Sequence, residues 1–315
     1  MVPSTHRFTL GGCVLAAALA LPLEATDRPS RGISIDDQDA ASIRGIFDFQ
    51  LPKIVWPKAL RFTLNPMVGD FVHKDSVRIR TGVRYAFTDH FEASAEVLPY
   101  FDNLGGKGPG GVGLAEYRFG TKLAWQGLFQ TYVDTALGAN VVLPAPGAPE
   151  ELSLGTTRFT PYIVFSREWK QIRGFNTFLN IGYELFDHDP APHLIPAYRP
   201  VHDNLSITPG VVLHRAPWHY TFATSLRTTA PEGEGRNYFS LLPSVSYEIP
   251  PKLMLHLPGR MVAGLGYEAV FFGGATEHRV TTDIRWDFDW RKTARDLGHS
   301  VRDHLSSNGN SRPRP

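Results

Sequence analysis

The sequence predicts an all-β chain: an antiparallel, up-and-down transmembrane β-barrel of about twelve strands, with short periplasmic turns and longer external loops. Three observations predict it. Apolar and polar residues alternate with period two from about residue 59 to Trp290. The alternating stretches run to roughly 10 to 15 residues, enough to cross a bilayer at a tilt, whereas soluble strands average about 5 to 6. The chain also opens with an export-type leader.

The leader is read over residues 1–25. His6 and Arg7 precede an apolar run, residues 10–23, and small-residue cleavage options follow at Ala18-Leu19-Ala20 or after Ala25. The run is shorter than the ~20 apolar residues a spanning helix needs. "LGGC" at 10–13 resembles a lipoprotein box, but its apolar stretch follows Cys13 instead of preceding it. Cleavage would remove the only cysteine, leaving neither disulfide nor thiol chemistry. No later stretch of about 18 apolar residues remains, so any membrane crossing falls to strands, and a closed barrel is the only spanning form made of strands.

Charge is balanced, with 32 Lys+Arg against 31 Asp+Glu, which argues against a nucleic-acid partner. Residues 26–58 read as a polar periplasmic lead-in, 59–290 as the barrel, and 291–315 as a C-terminal tail. In the tail Ala294, Leu297, Val301 and Leu305 recur at helical spacing, although "SSNGNSRPRP" reads as solvated and disordered.

The expected strands are 59–71, 76–87, 91–101, 114–125, 129–143, 158–169, 177–186, 205–214, 219–228, 238–249, 260–272 and 279–290. Short connections such as "TDH" at 88–90 and "RAPW" at 215–218 alternate with long ones such as "DNLGGKGPGGVG" from 102 and the eighteen-residue stretch from Asp187 to Asn204. The connections near 73–76 and 273–277 break that trend. An even strand count puts both chain ends on the short-turn side. "TPYIVF", "TPGVVL" and "LPSVSY" place Pro161, Pro209 and Pro243 alike, and these are read as strand starts or bulges.

The hairpin 76–101 shows the two faces. One carries Val77, Ile79, Val83, Tyr85, Phe87, Phe91 and Val97; the other carries Arg78, Arg80, Arg84, Glu92 and Glu96. Strand 114–125 is read with Ala115, Tyr117, Phe119, Leu123 and Trp125 outward, and Leu114, Glu116, Arg118 and Lys122 inward. Aromatics gather near the short-turn ends at Tyr85, Phe87, Phe91, Trp125, Phe129, Trp169, Trp218, Tyr220, Tyr247, Trp286 and Trp290, the pattern of an interfacial girdle. A soluble sandwich would share the period, and a propeller would share a spacing of about 40 residues. The leader, strand length and aromatic ends favour the barrel over the first; the lack of four strands per repeat excludes the second.

The hairpin phrasing "RTGVRYAFTDHFEASAEVLPYF" and the closing strand "RVTTDIRWDFDW" resemble outer-membrane β-barrel proteins of Gram-negative bacteria. They are similar to the hairpins of transporter-like barrels of the phenol-degradation outer-membrane family. The resemblance implies an outer-membrane location, lipid contact and assembly by the outer-membrane machinery. Such barrels often end on an aromatic residue; here 25 residues follow Trp290.

No G-x-S-x-G, H-E-x-x-H or P-loop is present, so no enzyme and no cofactor are expected. His188, Asp189, His193, His202 and Asp203 fall in one loop but match no ligand frame, and no metal is expected. The glycine-rich 104–113 joins strands, not a strand to a helix, so it reads as a loop. The expected function is a narrow passive channel or transporter for a small solute. Its wall would carry Arg78, Arg80, Arg84, Glu92, Glu96, Glu116, Arg118, Lys122, Asp134, Glu184, Glu268, Asp283 and Arg285. The alternatives are a structural or adhesive barrel with a side-chain-filled lumen, and, behind it, an outer-membrane hydrolase or a soluble secreted β-sandwich.

Overall fold

The computed structural model describes residues 51, 52, 54, 57–68, 76–102, 111–128, 133–148, 155–187, 203–229, 237–254, 257–272 and 275–289. Twelve antiparallel strands follow one another in chain order: β1 Ala59–Val68, β2 Ser76–Ala86, β3 Phe91–Asp102, β4 Val112–Trp125, β5 Val133–Pro144, β6 Arg158–Glu168, β7 Phe175–Phe186, β8 Asn204–Arg215, β9 Trp218–Thr229, β10 Asn237–Ile249, β11 Arg260–Phe272 and β12 Ala275–Asp289. Each pairs with its sequence neighbours, and β1 pairs with β12, so the sheet is a closed barrel. The fold is therefore all-β and up-and-down. The β11–β12 connection shrinks to residues 273–274, because β12 begins earlier than its apolar alternation does.

Closure follows from the alternation. A strand apolar on one side and polar on the other curls its polar side inward when the outer surroundings are apolar, and a closed ring leaves no N–H or C=O row unpaired. Outward positions hold Phe62, Leu64, Phe119, Phe222, Leu265 and Ile284, all large and exposed. Among the described strand residues, the only charges at outward positions are Arg167 and Arg215, both at short-turn ends.

The short turns are locally encoded. In the β2–β3 turn the Thr88 hydroxyl accepts from the backbone N–H groups of His90 and Phe91 at 3.2 and 3.0 Å, and Phe87 N–H donates to Phe91 O at 3.0 Å. Serine and threonine close such turns because their hydroxyls mimic a backbone acceptor. In the β10–β11 turn Gly259 has φ +96°, and a Cβ there would collide with the Asp287 carbonyl. The same turn is pinned to β12 by Trp286 Nε1 donating to Pro258 O at 2.7 Å.

Two expectations are corrected. Leu114 and Ala115 exchange faces: Leu98 pairs with Glu116 but Pro99 pairs with Leu114, so Ala115 is the extra residue of a bulge. Ala115 turns inward onto Leu98 and Tyr100, while Leu114 is exposed. The bulge sits where Pro99 cannot donate to the ladder. Pro161, Pro209 and Pro243 are neither strand starts nor bulges. They lie inside β6, β8 and β10, and the register is unshifted on either side of each. Each stays paired to one neighbour, at Ala139, Leu179 and Phe222, and the ladder to the other neighbour skips it. A proline lacks only one donor, so an interior site costs one ladder bond rather than the strand.

At Pro66 a side chain makes good the gap: Asn65 Nδ2 donates to Thr282 O at 3.4 Å. The inner wall also packs large side chains flat over glycines, with Tyr162 above Gly138 and Phe178 above Gly210. Gly210→Ala drives a Cβ into the Phe178 ring. We expect a loss of about 1–3 kcal/mol in urea unfolding, largely recovered in Gly210→Ala/Phe178→Leu.

Candidate functional site

The inner face of the ring is the candidate site, and strand parity supplies its residues. On β12 every second residue from Thr281 to Asp287 is buried, and the run Thr281, Asp283, Arg285, Asp287 carries three charges. Buried charges persist only when paired and hydrogen-bonded. Arg61 answers Asp287 with two of its nitrogens, Nε to Oδ1 at 2.6 Å and Nη2 to Oδ2 at 2.7 Å. Asp283 takes Arg285 on one oxygen and Asn65 Nδ2 on the other at 2.8 Å.

The charged wall continues through β2, β3 and β4. Arg84 lies opposite Ser94, with Glu92 Oε1 at 3.8 Å and Glu96 Oε1 at 3.7 Å, and Lys122 Nζ reaches Glu92 at 3.3 Å. Glu96 fits because its chain lies over Gly82. Nearer the long-loop end Arg158 bridges Glu116 and Glu184, the latter at 3.4 Å, and Asn204 Nδ2 donates to the other Glu184 oxygen at 3.2 Å. Arg279 faces Glu268 at 3.7 Å. Arg78, Arg80 and Arg118 also take inward positions and are half-buried, so water reaches them. Asp134 lies at the short-turn rim, where its Oδ1 accepts from Gly127 N–H at 2.9 Å.

The inner faces of β7 to β10 differ. They present mainly Asn176, Asn180, Ser206, Thr208, Thr221, Ser225, Ser240 and Ser246, with Phe178, Val212, Ala223 and Leu242 among them. The charges of this sector are Glu184 and Arg227 toward the long-loop end, and Glu248 at the short-turn end, where it holds Arg260 at 2.7 Å. At the short-turn end His214 and His219 meet across β8 and β9, with Nδ1 atoms 2.8 Å apart. In a ring of twelve, β7–β10 stand across from β1–β4. The interior is therefore two-sided: an ion-paired wall faces a neutral wall of amides, hydroxyls and apolar side chains.

The stretch before β1 enters this space. Leu51 packs against Phe178, Val212, Ala223 and Leu242, and Ile54 packs against Ala59, Ala86, Ala124, Ala136 and Val164. All these partners are inward residues, the first set on β7 to β10 and the second on β1, β2 and β4 to β6. Leu51 and Ile54 thus lie within the lumen, in its short-turn half. The polar lead-in reading missed this; the signal was the apolar cluster "LPKIVW" within an otherwise polar stretch. Arg61, Arg158, Arg227 and Asp287 belong to the same inner face, and the alternation in their strands was the available signal.

Outward aromatics sit at both ends: Phe239 lies 6.1 Å from Phe271 at the long-loop end, and others gather near the short turns. Tyr85 meets Phe87 edge-on at 4.8 Å and Phe87 meets Phe91 at 5.4 Å. Trp218 lies 4.7 Å from Tyr247, and Trp286 lies 4.5 Å from Phe288. Trp169 donates to Thr177 Oγ1 at 3.0 Å, Tyr220 is exposed, and Trp125 closes β4. Phe129, Trp290, His188, Asp189, His193 and His202 lie outside the described residues. Asp203 accepts from Phe186 N–H at 2.9 Å. Among the described residues no three His, Cys, Asp or Glu side chains converge.

No protein-family profile matches the sequence. No curated protein matches it either. Solved structures similar in shape include the NanC porin, 13% identical over 72% of this chain and 98% of that one, with a TM-score of 0.42. The KdgM porin is 9% identical over 72% and 98%, with a TM-score of 0.43. An outer membrane channel from Pseudomonas putida F1 is 10% identical over 75% and 97%, with a TM-score of 0.47. The chain resembles such barrels in architecture; likeness of this degree identifies neither a family nor a solute.

The Arg61–Asp287 pair predicts a specific asymmetry. Asp287→Asn leaves a buried guanidinium without its carboxylate and should cost about 3–5 kcal/mol, whereas Arg61→Met/Asp287→Leu should cost much less. Urea unfolding of the barrel in lipid, followed by tryptophan fluorescence, measures both.

Proposed function

We propose that this chain is a passive channel of the outer membrane for a small solute, narrowed near its periplasmic mouth. The observation that carries this reading is a ring that is apolar and charge-poor outside but charged and polar within. An uncharged outer belt suits hydrocarbon, where a mid-depth Arg or Lys costs about 2–4 kcal/mol. Inside, Arg78, Arg80, Arg84, Arg118 and Lys122 stand beside Glu92, Glu96 and Glu116, with Asp134, Glu184, Glu268, Asp283 and Arg285 completing the wall. Both signs alternate along it, so strong selectivity for anions or cations is not expected. The neutral wall opposite suits an uncharged or amphipathic solute better than a bare ion. The narrow point is the chain at Leu51 and Ile54, which lie within the lumen.

That chain also favours a second reading, a structural or loop-presenting barrel whose interior is filled. Twelve strands lie between the filled small barrels and the aqueous channels of about 16 to 18 strands. Conductance in planar bilayers separates the two. A channel gives stepwise currents, altered in Arg80→Gln or Arg84→Gln and enlarged in Leu51→Ser/Ile54→Ser; a structural barrel gives none in any of these. The membrane itself is tested by cell fractionation with heat-dependent gel mobility. The folded, heat-shifted form is expected in the outer-membrane fraction, and Leu265→Arg should destabilise it by about 2–4 kcal/mol. A soluble heat-shifted form would overturn the reading.

A further inference from the structure

The outward face is free of charge along all described strands except at two places, and both are arginine. Arg167 lies near the end of β6, and its guanidinium carbon sits 4.5 Å from the ring centroid of Trp169. Arg215 ends β8 and pairs directly across the ladder with Trp218. Both belong to the short-turn end and to one sector, β6 to β9, where Phe175 and Tyr220 also face outward. Neither arginine has an ion-pair partner among the described residues, although carboxylates answer the buried arginines Arg61, Arg84, Arg158 and Arg285. Lys170 and Arg173 add two exposed cations in the β6–β7 turn.

A permanent cation at the edge of an apolar belt, held on a tryptophan face, is placed to meet an anion rather than to avoid one. A guanidinium offers a fork of donors matched to phosphate oxygens. Tryptophan rings settle at the headgroup level, where one edge is apolar and the other wet. Arg167 pairs with Thr177 and Thr177 with Val211, four residues before Arg215, so two strand spacings of about 4.8 Å and about 13 Å along the strand separate the arginines by roughly 16 Å, room for one headgroup each.

We infer that Arg167 with Trp169, and Arg215 with Trp218, form a pair of sites for the phosphate headgroups of anionic phospholipid in the leaflet around the short-turn end. The inference rests on the membrane-barrel reading above. The sites act on the outer wall and leave the lumen residues untouched.

The full-length barrel is inserted into vesicles of phosphatidylcholine alone, or of phosphatidylcholine with phosphatidylglycerol, and its melting is followed by heat-dependent gel mobility. The wild type is expected to melt about 4 to 8 °C higher with phosphatidylglycerol. Arg167→Gln/Arg215→Gln should lose that shift and match the wild type in phosphatidylcholine. Arg167→Lys/Arg215→Lys should keep only part of it, because charge survives and the fork does not. Equal melting of the wild type in both lipids overturns the sites, as does a shift that survives in the glutamine variant. A shift reproduced by inorganic phosphate in phosphatidylcholine vesicles overturns a lipid headgroup as the occupant. Failure of the wild type to enter either vesicle overturns the membrane reading instead.

Discussion

The pairing of β1 with β12 is the constraint on which the rest depends. Without it the sheet would have two edges, each a row of unpaired donors and acceptors. With it, every strand acquires two neighbours, and inside and outside become fixed by parity alone. The closing pair is reinforced on its inner side by the bidentate Arg61–Asp287 contact and by Asn65, which serves both Asp283 and the carbonyl that Pro66 leaves without a donor. The seam that joins the first and last strands is thus held by side chains as well as by backbone.

Much of this was legible because period two is a local signal. Val77, Ile79 and Val83 alternate with Arg78, Arg80 and Arg84 so cleanly that only one register keeps the charges together. Where the alternation loses contrast, legibility ends. Leu114 and Ala115 are both apolar, so nothing in their chemistry marks the bulge that swaps them. The prolines misled for a different reason. Pro161, Pro209 and Pro243 look like boundaries, yet each sacrifices one bond to one neighbour, and which neighbour is a matter of sheet order. Strand composition also cannot say that Leu51 will seek Phe178, more than one hundred residues away.

The interior shows how charge density and space are reconciled. Arg84 is shared between two glutamates of β3, and Arg158 between one of β4 and one of β7, so each cation answers two carboxylates. Glycines on the adjoining strand let the long side chains lie along the wall: Gly82 beneath Glu96, Gly210 beneath Phe178. A wall built this way holds bulky groups without projecting them to the axis. The width of the passage is then governed less by the lining than by what is drawn into it.

What is drawn into it is Leu51 and Ile54, shortly before the first strand. An arm that is continuous with the first strand and rests within the finished ring has a definite order of events behind it. Either it is already seated when the last strand docks on the first, or it slips in afterwards through the turn-side mouth. In the first case the arm serves as a mandrel around which the hoop is wound, and Leu51 and Ile54 bring separate staves together before any seam exists. Assembly and obstruction would then be two consequences of the same few apolar contacts.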